Sequence, residues 1–413
     1  MQVLISHLTG NPNSSVAALA LAEAGYLAAF HTTIVIPGWL RRWAVRLGLK
    51  HGMWDRRIFP EEVQPFLHSH PMHELLRLAC RGSSWLRKSR FGRRQGSLEM
   101  VLGRFDLAVA RVVRRSQGLQ AVYAYMDAAE HTFLTTRQSG IRAIYELPTP
   151  YWRFTRDIVT AEATRLPEWA QTLPDMDENS ETMKRRDREL QLADLVIVPS
   201  ELVRESLRLA PPFKATVHVV PYGCPEFAYS DNLRYLAKQQ PSALRVLYVG
   251  SLNQGKGLAY LAEAMTGLED VAKLTVIGSR TSVESCVGLD RLLSAANRYR
   301  TGLSHGEVLA EMRRHDVLVL PTLYEGLALV LLEAMACGLT VITTPHSGID
   351  GLIEDGKEGF LVPIRNAAAI HNCLRQLAED SSRLQTMQLA ALTWSRAHSW
   401  RRYRELLLDV IAT

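Results

Sequence analysis

Four short apolar runs in the second half of the chain set the tightest limit on its fold: LRVLYVG (244–250), KLTVIGS (273–279), DVLVLP (316–321) and TVITTP (340–345). Each is rich in β-branched residues, too short for a buried helix, and followed by a loop and a helix-like stretch. Strands without polar alternation must be covered on both faces, and a crossover after each makes neighbours parallel, so this half predicts a parallel α/β sheet. The first half repeats the pattern less regularly. Val3 to Ser6 reads as a strand, followed by the loop HLTGNPNSS, a helix-like run VAALALAEAGYLAAF that Asn13 or Ser14 could cap, and a second strand from His31 to Pro37. Further strands are expected at the start of AVYAYMDAAEHTF and RAIYELPTPYWR, in ADLVIVPS and in ATVHVVPYG. The first two end in polar residues, Asp127, Glu130 and His131 in one and Glu146 in the other, at strand ends where open α/β sheets place ligands. A chain of 413 residues exceeds one ordinary core. Two α/β halves facing across a cleft are expected, 1–225 and 226–390, with the polar stretch Glu226 to Ala243 as connector.

Composition excludes several classes. No run of eighteen uncharged apolar residues is present, so no spanning helix is expected, and MQVLISHLTG lacks the basic n-region of a signal peptide. Five widely spaced cysteines with no C-x-x-C indicate neither a disulfide framework nor a zinc site, and a cytoplasmic location is the default expectation. The charge is uneven: Met1 to Arg115 holds 17 Lys and Arg against 7 Asp and Glu. Within that quarter, GWLRRWAVRLGLKHGMW interleaves Trp39 and Trp43 with Arg41, Arg42 and Arg46 at helical spacing, and WLRKSRFGRR from Trp85 repeats the theme more loosely. This suits a helix lying on an anionic membrane surface, or an ordinary amphipathic helix with its arginines in water. No nucleic-acid-binding module is recognisable, so no nucleic-acid partner is expected.

The segment YEGLALVLLEAMACGL, Tyr324 to Leu339, carries the densest chemistry. A helix over 326–336 ending at Gly338 would place Glu325 at its mouth and Glu333 inside an otherwise apolar body, where a carboxylate needs a partner. The amides of Gly326, Leu327 and Ala328 would then be unpaired first-turn donors, an attractive place for an anion. A second anion element follows LRVLYVG. Gly250 to Lys256 fits G-x-x-x-x-G-K, the start of a P-loop, but the next residue is Gly257, where a P-loop needs the Ser or Thr that holds Mg²⁺. What remains is a glycine-containing turn whose Lys256 can contact a diphosphate.

Taken in order, VGSLNQGKG, SHGEVLAEMRRHDVLVLP, EGLALVLLEAMACGLTVIT and GIDGLIEDGKEGFLVP resemble the C-terminal domain of the retaining glycosyltransferases of family 4, which have the GT-B fold of two Rossmann-like domains. The spacing of Glu325 and Glu333 matches the family's E-x7-E element. ADLVIVPSELV and VVPYGCPEF resemble the family's first domain more loosely, and WRRYRELLLDVI resembles the last helix that crosses back to it, giving 391–413 as the returning segment. The resemblance implies that Lys256 contacts the donor diphosphate, Glu325 the donor-sugar hydroxyls and Glu333 the ribose. It also implies that the amides around Leu327 and Ala328 take the β-phosphate and that the nucleobase lies near Arg300 and Thr301. Gly250 belongs to the same donor loop, and Gly10 and Asn11 become candidates for an acceptor or phosphate loop. Two departures stand out. Ser251 occupies the place where members often carry an Arg, and YAYMD has no His where members place one, leaving Asp127 and His131 as candidates for the missing catalytic role.

The implied activity is glycosyl transfer from a nucleoside diphosphate sugar to an acceptor hydroxyl with retention at the anomeric carbon. The diphosphate is both leaving group and proton acceptor, with no metal or other cofactor. The basic first quarter suggests a lipid-linked or otherwise anionic acceptor at the inner membrane face, for polysaccharide or glycolipid synthesis. A non-catalytic nucleotide-sugar-binding protein and a sugar-nucleotide epimerase of the same fold are the alternatives; oligomeric state is left open.

Overall fold

The computed structural model describes residues 1–36, 57, 59–82, 89, 95–177, 180–227, 243–281 and 285–413. The Trp39, Arg41, Arg42, Trp43 and Arg46 segment, nearly all of the run from Trp85 to Arg94, and residues 228–242 of the connector lie outside these described residues.

Among the described residues, the first sheet has seven strands: β1 (Val3–Ser6), β2 (Leu27–Thr32), β3 (Leu67–Ser69), β4 (Ala121–Tyr125), β5 (Arg142–Glu146), β6 (Leu195–Val198) and β7 (Thr216–Val219). Their order is β3-β2-β1-β4-β5-β6-β7, and every pair is parallel. The second sheet holds β8 (Leu244–Val249), β9 (Ala272–Ile277), β10 (Arg298–Arg300), β11 (Val317–Leu320), β12 (Thr340–Thr343) and β13 (Gly359–Leu361). Its order is β10-β9-β8-β11-β12-β13, again all parallel. The expected α/β class with two parallel sheets therefore stands. Each sheet reverses direction once, between β1 and β4 and between β8 and β11. Crevices that bind ligands open beyond the carboxyl ends of strands at such points.

Local readings needed correction in three places. The run VAALALAEAGYLAAF is not one helix: the helix is Pro12–Glu23, and Gly25 (φ +70°) turns the chain so that LAAFHT forms β2, ahead of the expected His31 to Pro37. Its cap is Asn11, with Pro12 in the first turn, rather than Asn13 or Ser14. The third concerns the return of the chain. Residues 391–397 finish a helix (Ser381–Ala397) that packs on the second domain, and only Trp400–Ala412 lies against the Pro12–Glu23 helix. There Tyr403, Leu407 and Ile411 are at most 1% exposed, so the last helix completes the first domain's core. The two crossings run side by side: Cys224 donates its amide to His398 O (2.7 Å) and accepts from Trp400 N (3.2 Å).

A second exchange runs the other way. The helix Trp152–Arg165 and the 3₁₀ turn Pro167–Thr172 follow β5 of the first sheet, yet Trp169 is 3% exposed within the second domain's core. Its indole fills the space where Gly288 has no side chain, and Gln171 Nε2 donates to Ser285 O (2.5 Å).

Candidate functional site

A cavity of about 900 Å³ lies between the two sheets at both points of reversal. One wall is the loop after β1 (Gly10 to Asn13, with Ser15) and Pro60; the other is built by the turns after β8, β10 and β11. Gly250, Ser251, Lys256, Glu325 and Glu333 all border it, so the structure brings the core of the expected donor set together.

The turn after β8 is a short 3₁₀ segment, Gln254–Lys256, followed by Gly257 at φ +72°. A Cβ on Gly257 would overlap the carbonyl oxygen of Pro321 at the end of β11. A left-handed backbone and this close approach both demand glycine, which explains why the P-loop hydroxyl is missing at that position. The turn is laced to the loop that carries Glu325: Thr322 Oγ1 (3.0 Å) and Leu323 N (2.9 Å) both donate to Gly255 O. The lacing brings the Lys256 ammonium against the Glu325 carboxylate, where the two form an ion pair. Burial draws the Lys256 pKa down to about 8.

The helix after β11 begins later than the sequence suggested. It spans Leu329–Ala336, and Gly326, Leu327 and Ala328 precede it as a loop. Ala328 donates its amide to Ser347 O (3.0 Å), so it is not an anion donor, and neither Leu327 nor Ala328 borders the cavity. The first two helical residues, Leu329 and Val330, do border it, and first-turn amides have no acceptor within their own helix. Ala328 provides no side-chain cap. The uncapped helix start is therefore about one turn further along than expected. Gly326 has a different task. A Cβ there would overlap Pro148 O of the first domain, and its own carbonyl accepts from Ser200 Oγ (2.5 Å), so glycine lets the two domains touch at this loop.

Glu333 is half-buried rather than enclosed, and it has a partner: His305 Nε2 lies 2.9 Å from Glu333 Oε1, and both face the cavity. His305 stands in the quoted run SHGEVLAEMRR but received no role from sequence; a polar side chain opposite a lone helix carboxylate was the available signal. Arg300 is not brought to the site. Its guanidinium is paired with Glu311, while Thr301 Oγ1 hydrogen-bonds Ser279 Oγ at 3.0 Å away from the cavity lining; Leu303 and Val308 border the cavity there instead. Ser251 borders it with a hydroxyl that accepts from Asn253 Nδ2 (3.0 Å). Lys256 is the only Lys or Arg among the described residues lining the cavity.

On the first-domain wall, Asn11 is committed to its own helix: Oδ1 accepts from Ser14 N (2.8 Å), and Ser14 Oγ accepts from Asn11 N (3.1 Å). Behind it Asn13 Nδ2 donates to Glu146 Oε1 (3.0 Å), a fully buried carboxyl that also accepts from Tyr123 and Tyr222 and whose pKa is raised by burial. Asp127 and His131 do not border the cavity. Asp127, at φ +79°, is held by a bidentate pair with Arg186 (2.7 and 2.9 Å), and its amide donates to Glu189. Glu189 is itself pushed up to about 8 by burial and by the neighbouring Asp127 charge. His131 is exposed, with its amide donated to Asp106 (2.7 Å). Among the described residues no group of three or more His, Cys, Asp or Glu is arranged to hold a metal ion, and no helix is long and apolar enough to cross a membrane.

Residues 237–394 match the family model of glycosyl transferases group 1. The D-inositol 3-phosphate glycosyltransferase of Arthrobacter sp. (strain FB24) is 27% identical over 250 residues, 56% of this chain and 59% of that protein. The chain spans about half the length of the curated relatives it matches. Among solved structures, sucrose-phosphate synthase from Thermosynechococcus elongatus superposes with a TM-score of 0.64 at 17% identity, over 100% of this chain and 98% of that one. Anabaena Alr3699/HepE in complex with UDP-glucose gives 0.62 at 14%, over 100% and 99%. Two parallel-sheet domains and full-length likeness to these structures converge on one statement: the chain has the GT-B fold, and residues 237–394, which include its second sheet, are similar to the glycosyl transferases group 1.

Proposed function

We propose that this protein is a glycosyltransferase that moves a sugar from a nucleoside diphosphate sugar to an acceptor hydroxyl with retention. One observation carries the reading. A lone cation, an uncapped helix start and two carboxylates share one wall of a cavity at the reversal points of both sheets. In this reading Lys256 and the amides of Leu329 and Val330 receive the diphosphate, Glu325 the donor sugar and Glu333, steadied by His305, the ribose. Diphosphate arrival separates the Lys256–Glu325 pair, freeing the carboxylate for sugar hydroxyls. As the glycosidic bond lengthens, negative charge grows on the leaving diphosphate, and fixed donors already aimed at it stabilise that charge without reorganising. The diphosphate oxygen takes the acceptor proton on the same face, so no protein nucleophile is required. The site supplies positive charge from its own residues, which supports chemistry without a metal; turnover undiminished by EDTA is the expected result.

UDP-glucose bound to a structural neighbour supports a nucleotide-sugar donor, and the curated relative named for D-inositol 3-phosphate supports an anionic acceptor. The basic first quarter extends this to a lipid-linked acceptor and peripheral contact with the inner membrane face. Sedimentation with anionic vesicles at low salt tests that part; no binding removes it. A thermal-shift panel of nucleotide sugars tests the donor, with stabilisation expected for one base and none by free sugars. A second reading, a non-catalytic nucleotide-sugar-binding protein, is favoured by the distance of Asp127 and His131 from the cavity lining. Release of nucleoside diphosphate that depends on added acceptor, with retained anomeric configuration by NMR, separates the two.

A further inference from the structure

The first domain reaches into the donor side through one fully buried carboxylate. Glu162, on the helix Trp152–Arg165, is 0% exposed, and its three side-chain partners all belong to the second domain. Gln254 Nε2 (2.8 Å) and the Tyr260 hydroxyl (2.7 Å) donate to Oε1, and Arg365 Nε (2.7 Å) donates to Oε2. Gln254, equally buried, opens the 3₁₀ turn that carries Lys256. Its side-chain oxygen accepts from Ala259 N (2.9 Å), and its backbone amide donates to Thr172 Oγ1 (2.9 Å), again a first-domain residue. The turn bearing Lys256 is thus gripped at Gln254 from both backbone and side chain by residues that precede β6. A carboxylate at zero exposure cannot give up these donors cheaply, because an unpaired buried charge costs far more than the net gain of the pair.

We propose that Glu162 is a positioning residue of the donor site. It fixes the orientation of Gln254, and through it the turn that aims Lys256 into the cavity, so that residues 152–172 move as part of the donor domain although they follow β5 in the chain. The role rests on the reading of Lys256 as the diphosphate cation. Sequence alone gave no signal for it, since Glu162 and Gln254 lie 92 positions apart.

Glu162→Gln is the sharp variant. It preserves volume but sets an amide donor against either the Gln254 and Tyr260 donors or Arg365. Hydrogen exchange on the full chain without ligand should show loss of protection, by about tenfold or more, over peptides covering 250–261 and at Leu323, whose amide donates to Gly255 O, with peptides covering 329–343 unchanged. Calorimetric titration with UDP and with GDP should show the better-bound nucleotide weakened about tenfold, with the stoichiometry unchanged. A merely structural Glu162 would instead lower the binding-competent fraction and leave the affinity alone. Tyr260→Phe, which removes one donor and leaves the carboxylate paired, should show the same pattern at about two- to threefold and decides the matter if Glu162→Gln does not fold. Unchanged exchange over 250–261, loosening spread through both sheets, or nucleotide affinity within twofold of wild type in the folded Gln variant overturns the proposal. Failure of both nucleotides to bind the wild type would count against the donor assignment; the exchange pattern would then decide alone whether Glu162 holds the turn.

Discussion

Two helix starts face the same cavity, and they are built in opposite ways. The Pro12–Glu23 helix, on the first-domain wall, begins with a proline that has no amide to offer and is closed by the reciprocal Asn11–Ser14 capping box. The Leu329–Ala336 helix, on the opposite wall, begins after Ala328 with no side-chain cap and has Lys256 beside its approach. Both point a positive dipole end at the void. The difference teaches that direction alone does not make an anion site; what counts is whether the first-turn amides already have an acceptor. By that measure Gly10 and Asn11 form a wall, and the Leu329 helix is the start to which the proposed function assigns the donor phosphate.

The largest effect expected from this contrast is at Lys256. Lys256→Ala should lower turnover by about a thousandfold and leave the unfolding midpoint within a few degrees; activity within a few-fold of wild type would sink the donor assignment. Next comes pH. Because burial holds the Lys256 pKa near 8, the ammonium is charged below that value and is lost as pH rises through it. Nucleoside diphosphate affinity should therefore fall by up to about tenfold per pH unit above 8, whereas Lys256→Arg should hold a flat profile to pH 10. The same depression carries a stability sign. The unfolded chain keeps this proton up to the ordinary lysine value, so Lys256 costs stability below pH 8 and costs less as pH climbs from there.

A smaller effect comes from giving the open helix the cap it lacks. Ala328→Ser should raise thermal stability while weakening nucleotide binding by about threefold, because the hydroxyl competes for the amides the phosphate would use. A gain in both would show that those amides do not serve the ligand. Smallest for function is the converse change at the closed helix. Asn11→Ala should cost about 1 kcal/mol of stability in denaturant unfolding yet leave nucleotide affinity within twofold. A large affinity loss there would put the first-domain loop back in the phosphate site.

The repeating apolar strands made most of the sheet architecture readable, since burial on both faces leaves a pattern in any single strand. The three-residue strands β3, β10 and β13 left none, being too short to differ from loop. Within the site, Lys256, Glu325 and Glu333 were legible because a strand-end turn and an E-x7-E spacing are local features. The start of the Leu329 helix was not. Gly326 looked like a helical first turn, but its backbone is fixed by Pro148 and Ser200 from the other domain, a contact no local pattern records. Asp127 failed for a related reason: a carboxylate at a strand end looks free until the helix carrying Arg186 packs beside it.

The returning helix Trp400–Ala412 has a consequence for synthesis. Its Tyr403, Leu407 and Ile411 close the core against the helix formed by residues 12–23, so the first domain emerges from the ribosome with an apolar groove still uncovered. The groove must wait while the whole second domain is made. Until then a chaperone or a neighbouring nascent chain competes for the surface that residues 400–412 will finally occupy.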